Sequence, residues 1–219
     1  MPPFQPQLVS TPAVLVVGRE LLAGRLPFTQ GLLQRPTEPW NHQVLSLNPD
    51  VVEREATLRV LRSVAEQRKE WVILTPPQER AQDVAAAHIY ALEGLTVLRS
   101  MGVRYGAFYS EQLDVPRIIS HLLPGDVRHL AARFAEESDR MLQFWWTFLI
   151  RNGHVAATAK ALSMHPNTVR YHLERWALRT GLNLRESMAI TKATLSLLAL
   201  RMLEPGRFAE GLGLWSEDA

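Results

Sequence analysis

The chain contains no cysteine. That excludes a disulfide framework, a cysteine-ligated zinc finger and a thiol nucleophile, and it fits a reducing compartment. Long apolar runs are also missing. The longest early run, Ala13 to Val17, falls far short of the roughly 20 residues that span a bilayer. The late stretch from Ala193 to Leu203 is too short as well and is broken by Arg201. Met1-Pro2-Pro3-Phe4-Gln5-Pro6 offers neither a basic lead nor an apolar core, so no secretory signal and no membrane partner are expected, and the expected location is cytoplasmic. Catalytic patterns are scarce. Gly18 and Gly24 belong to no phosphate-cradling loop, and no serine sits in a nucleophile elbow. No acidic pair follows a Gly-Gly as two-metal phosphoryl transfer needs, so the chain is expected not to be an enzyme and to need no cofactor.

What is present describes an ordinary globular protein of 219 residues, 47% apolar and 21% charged. The net charge of +2 says little by itself, but its distribution is uneven. From Arg151 to Arg185 six basic residues (Arg151, Lys160, Arg170, Arg175, Arg179, Arg185) face one acid, Glu174, which leaves +5. A basic concentration of this kind is the electrostatic footprint of a phosphate-facing surface, or alternatively of a plain solvated face.

The predicted organisation has four parts. Residues 1–40 are rich in proline and read as an irregular arm around one short strand, Ala13 to Val17, with a helix over Leu21 to Leu33 broken at Pro27. Residues 41–138 read as a small α/β module with a helical linker. It has strands at Gln43 to Leu47, Trp71 to Leu74 and Val103 to Tyr109, and helices over Val51 to Lys69 and Asp83 to Met101. Asn48-Pro49-Asp50 is a start signal for the first helix, and Gly102 a stop for the second. Two linker helices are predicted, Ile118 to Leu123, ended by Pro124-Gly125, and Asp126 to Glu137. Residues 139–205 form a helical domain and 206–219 a tail. The fold class is therefore α+β, an N-terminal α/β module followed by an all-α domain.

The helical domain carries the functional signal. An aromatic helix from Asp139 to Arg151 ends at Asn152-Gly153. A short alanine-rich helix runs from Val155 to Leu162, then Ser163-Met164-His165 makes a tight connection, and a further helix spans Pro166 to Leu178. This is the spacing of a helix-turn-helix, with small Ala159 allowing close approach and Met164 filling the gap between the helices. At about 100° per residue, Leu173 and Trp176 fall within about 40° of Val169 and make a core stripe. Asn167, Tyr171 and Glu174 lie opposite, flanked by Thr168, Arg170 and Arg175. Arginine can give two hydrogen bonds to guanine, asparagine can pair with adenine, and hydroxyls position the helix on phosphates. The expected DNA-contacting set is His165, Asn167, Thr168, Arg170, Tyr171 and Arg175, with Lys160 on the preceding helix. His165 has no partner at ligand spacing, so it reads as a helix cap or phosphate contact and no metal site is expected. His172 reads as a packed or surface histidine at the edge of the core stripe. The last helix is apolar enough either to lie beneath the motif or to make a dimer contact.

These residues resemble a known family. The run Ala159-x-x-Leu162-x-x-His165-x-Asn167-Thr168-Val169-x-Tyr171-x-Leu173 is similar to the C-terminal helix-turn-helix of the PucR/CdaR regulators, and the likeness continues through Gly181-Leu182-Asn183-Leu184-Arg185. A weaker resemblance over residues 83–138 implies that the α/β module is a degenerate GGDEF-like domain. Pro166 and His172 stand where the family often has arginine. The resemblance implies a transcription regulator that binds double-stranded promoter DNA as a homodimer, with a small-molecule effector left open. A non-DNA-binding interaction adaptor that kept the fold is the alternative. It would show an apolar or acidic surface over Asn167, Arg170 and Tyr171.

Overall fold

The structure is a computed structural model, and it describes residues 14–18, 32–34, 43–47 and 53–208. The described chain is mostly helical with one small sheet. It divides into two compact units, Met1–Arg99 with Val103–Arg117, and Ser100–Gly102 with Ile118–Ala219.

The first unit is built on a five-stranded sheet of order β2-β3-β1-β4-β5. The strands are β1 (Val14–Gly18), β2 (Leu32–Gln34), β3 (Gln43–Leu47), β4 (Trp71–Leu74) and β5 (Gly106–Tyr109). Strand β1 lies between β3 and β4 and is antiparallel to both, β2 is antiparallel to β3, and β4 and β5 are parallel. Parallel neighbours cannot be joined by a tight turn, and here α2 (Ala81–Ser100) makes the crossover.

Side-chain alternation along β4 decides what each face covers. Val72 and Leu74, with Ala107 of β5, pack against Leu58, Leu61 and Ala65 of α1 (Arg54–Arg68). Those three positions share one helical stripe, and all are buried. Ile73 points to the other face and meets α2. There Gly94 leaves room for it, because a Cβ at that position would come within 2.8 Å of both Ile73 Cδ1 and Leu113 Cδ1. Arg54 pairs with Glu111 at 2.8 Å and lies 4.5 Å from the Tyr109 ring centre, which fastens the start of α1 to the end of β5.

Several boundaries differ from expectation, each for a local reason. Helix α1 begins at Arg54 with extended Glu53 as its cap, and the expected start signal Asn48-Pro49-Asp50 lies outside the described residues. Strand β5 begins at Gly106 rather than Val103, because the Val103 N–H is used on the Leu98 carbonyl to close α2. Leu32 and Leu33 are extended in β2, which corrects the helix expected there, while residues 21–31 lie outside the described residues. Pro124 does not end a helix. Helix α3 (Asp114–Ser120) stops earlier, and Pro124 opens α4 (Pro124–Ala131), where a missing N–H removes nothing. Helix α4 is also shorter than the predicted 126–137, and tight turns follow it.

The second unit is helical. After α4 come α5 (Asp139–Ile150), α6 (Val155–Ala161), α7 (Pro166–Thr180) and α8 (Ser187–Leu203). Helix α8 packs on α4 and α5 and is buried within its own unit over residues 196–201. That stretch includes a charge. The Arg201 guanidinium lies 4.4 Å from the Trp146 ring centre, its Nε donates to the Met101 carbonyl at 3.2 Å, and burial lowers its pKa to about 10. Beyond α8, Arg207 reaches back to the turn ahead of α5. It donates to the carbonyls of Ala135 (2.9 Å) and Glu137, and pairs with Asp139 at 3.0 Å.

Leu61 is completely buried at the centre of the first unit's core. Leu61→Ala is expected to destabilise that unit by about 2–5 kcal/mol through lost burial and the cavity left behind. Denaturant titration followed by circular dichroism measures it.

Candidate nucleic-acid interface

Three helices and an aromatic seat build the candidate site. Helix α5 is capped by Ser138, whose hydroxyl accepts from the Met141 N–H. It buries Leu142, Phe144, Trp145, Trp146, Phe148 and Leu149, so the aromatic helix is core. Trp176 of α7 is buried against this layer. Its ring stacks on Phe134 at 5.3 Å between centroids and lies 5.3 Å from Trp145. Burying large rings in contact with one another supplies both hydrophobic stabilisation and a preferred geometry. Val169, two turns earlier, is fully buried, and Leu173 between them is half-buried. The predicted stripe therefore faces inward. His172 sits at its edge, half-buried, with its ring 5.0 Å from Phe144.

Helix α6 approaches α7 through Ala159, which is buried, while Met164 is only half-buried and fills the gap less completely than expected. The connection closes α6 by backbone bonds. The Met164 N–H donates to the Ala159 carbonyl at 2.8 Å, and the Ser163 N–H to Lys160 at 3.3 Å, with Ser163 at φ 51°. This is a Schellman-type ending, in which the left-handed residue reverses the chain. His165 then caps α7. Its Nδ1 accepts from the Asn167 N–H at 3.2 Å, and Pro166 occupies the first turn. The far end of α7 stops at Gly181, whose φ of 70° is readily adopted only without a Cβ.

The outward face of α7 holds the predicted contact residues. Asn167, Arg170, Tyr171 and Arg175 are exposed, Tyr171 at 55%, and Thr168 is half-buried. Lys160 on α6 and the rim of His165 are exposed too. Arg170 Nη1 donates to Asn167 Oδ1 at 2.8 Å. Lys160, Arg170 and Arg175 form no ion pair among the described residues, so their charge is available to a partner.

Two of the basic residues in the +5 stretch are compensated. Arg179 pairs with Glu137, a mostly buried carboxylate in the turn before α5, and Arg185 lies 3.9 Å from Glu174. Glu137 was missed in the sequence. It lies outside the basic window, and only its burial against Arg179 gives it a role, tying the end of α7 to the chain ahead of α5. Among the described residues no group of three or more His, Cys, Asp or Glu is placed to hold a metal ion. No described helix is long and apolar enough to cross a membrane.

A helix with a buried aromatic stripe, a capped N-terminus and an unpaired cationic outer face, joined by a tight turn to a short helix, is a helix-turn-helix. Residues 141–199 match the family model described as the PucR C-terminal helix-turn-helix domain. The second unit carries a PucR helix-turn-helix domain. The PucR match runs from Met141 of α5 to Ala199 of α8 and so includes every predicted contact residue. A solved structure of a regulator of polyketide synthase expression from Bifidobacterium adolescentis is similar at 19% sequence identity. The alignment covers 88% of this chain and 81% of that chain, with a TM-score of 0.39. No curated protein matches the chain.

Ser163 occupies a left-handed conformation that disfavours any side chain. Ser163→Gly is expected to stabilise the PucR domain by about 0.5–1 kcal/mol, the relief of strain being partly offset by a freer unfolded chain. Thermal unfolding of the two proteins side by side checks the sign.

Proposed function

We propose that this protein is a transcription regulator that docks α7 in the major groove of double-stranded promoter DNA. The observation that carries this reading is the outer face of α7, where Asn167, Arg170, Tyr171 and Arg175 are exposed on a helix whose opposite side is fixed by Trp176. The N-terminal part of a second helix of this kind presents its side chains to base edges, and its free N–H groups favour a nearby phosphate. Arg170 and Tyr171, with Asn167 beside them, face the bases. Thr168, Arg175, His165 and Lys160 hold the backbone. The family match over residues 141–199 supports the same role.

The remaining parts of the reading follow from it. A twofold operator calls for a homodimer, since twofold sites are bound by twofold proteins. The sheet-bearing first unit fits a degenerate GGDEF-like module that modulates DNA occupancy, a small-molecule effector being one way to do so. Catalysis is not part of the proposal, and a cytoplasmic location suits a protein that meets the chromosome. The domain division we propose places the DNA-binding part at residues 139–205 and the α/β part at 41–138. An adaptor would present an apolar or acidic surface over Asn167, Arg170 and Tyr171, where the exposed amide and guanidinium are instead polar and cationic.

Capture of genomic fragments by the purified full chain, followed by anisotropy titration of an enriched duplex over a range of salt, tests the proposal. The logarithm of affinity is expected to fall linearly with the logarithm of salt concentration as phosphate counterions are released. Lys160→Ala and Arg175→Ala should each weaken binding to all sequences alike and reduce the salt slope by about 1. Affinity indifferent to salt, or enrichment of no duplex, sinks the reading.

A further inference from the structure

Asn167 and Arg170 were expected to read bases separately, the amide taking adenine and the guanidinium guanine. Their geometry argues otherwise. They stand three positions apart on α7, within its first two turns, and are neighbours on one face. Arg170 Nη1 donates to Asn167 Oδ1 at 2.8 Å, a charge-assisted bond of the stronger kind. Recognition of adenine by asparagine needs both ends of the amide, Oδ1 accepting from N6 and Nδ2 donating to N7. Here one of the two Oδ1 lone pairs is already taken by a cation, which ties the orientation of the amide to Arg170.

The guanidinium loses much less. It carries five N–H donors in a rigid plane, and one of them meets Asn167. The others remain for a pair of acceptors, and guanine offers O6 and N7 at the matching separation. Nor is Arg170 quenched by an acid. Glu174, one helical turn further on, lies toward Arg185 at 3.9 Å, and Arg170 makes no ion pair among the described residues. A long side chain on an exposed helix normally spends rotamer freedom when it docks. The bond to Asn167 removes part of that freedom in advance.

We propose that Arg170 reads a guanine in each half-site and that Asn167 acts as its positioning residue rather than as an adenine reader. This rests on the proposed docking of α7 in DNA. It adds to that reading a base identity and a division of roles.

The test is selection of binding sites from a random duplex pool by the full chain and four variants. The wild-type protein should enrich one guanine per half-site, discriminated by about 5- to 150-fold over the other bases. Arg170→Ala should lose that preference alone and keep the rest of the site. Asn167→Ala should weaken preference at the same guanine and at no adenine. The Asn167→Ala/Arg170→Ala double variant should be no less selective there than Arg170→Ala. Asn167→Asp is the decisive variant. It keeps an oxygen for Arg170 but has no donor for adenine N7, so the guanine preference should survive even where the added negative charge lowers overall affinity. Loss of an adenine preference in Asn167→Ala and Asn167→Asp, with the guanine untouched, overturns the assignment. So does a selected site unchanged by Arg170→Ala. Both results leave DNA binding by α7 standing, whereas failure of the wild-type protein to enrich any duplex removes the regulator reading and this inference together.

Discussion

Trp176 is the fixed point of the second unit. Its ring is buried between Phe134, which belongs to the turns after α4, and Trp145 on α5. One side chain of α7 thus fastens that helix to two parts of the chain that precede it. The outward face inherits its direction from this contact. With period 3.6, a helix whose buried stripe is set by Val169 and Trp176 has no freedom to choose what Asn167, Arg170 and Tyr171 point toward. Close packing makes the constraint strict, because a rigid interior does not let a large ring rotate without displacing its neighbours.

Polar contacts complete what the aromatic seat begins. Trp176 holds the middle of α7, the Arg179–Glu137 pair holds its C-terminal end, and the His165 cap with Pro166 sets its start. Exposed ion pairs are weak, but Glu137 is mostly buried, so this carboxylate depends on Arg179 for compensation. The two units also differ in style. The first buries one face of each helix on a sheet, and the second buries aromatic rings between helices and even encloses the cation of Arg201 over Trp146.

Much of the motif was legible because helix-turn-helix chemistry is local. Pro166, Gly181, Ala159 and the 169–173–176 stripe are each a statement about a few neighbouring residues, and the structure places them as their types require. Where the outcome depends on distant partners, the sequence was a poor guide. Val103 reads as strand because the run to Tyr109 alternates and is aromatic, but its N–H closes α2. Pro124 looked like a stop, and proline is equally suited to a first turn, so only the start of α4 distinguishes the two. Glu137 gave no sign at all, since its partner lies 42 residues on. The Asn167–Arg170 bond lay within sight, being a contact of spacing three, but exposed side chains of that spacing can also point apart.

The reach of Arg207 bears on how small a working piece of this protein can be. The family match stops at Ala199, yet the arginine that grips the Ala135 and Glu137 carbonyls lies eight positions past that limit, and Glu137 in turn holds Arg179. A fragment trimmed to the homology boundary would retain most of α5 through α8 and still lack the outer brace of α7. The contacts that hold α7 in place therefore run past the matched segment at both ends, to Phe134 on one side and Arg207 on the other.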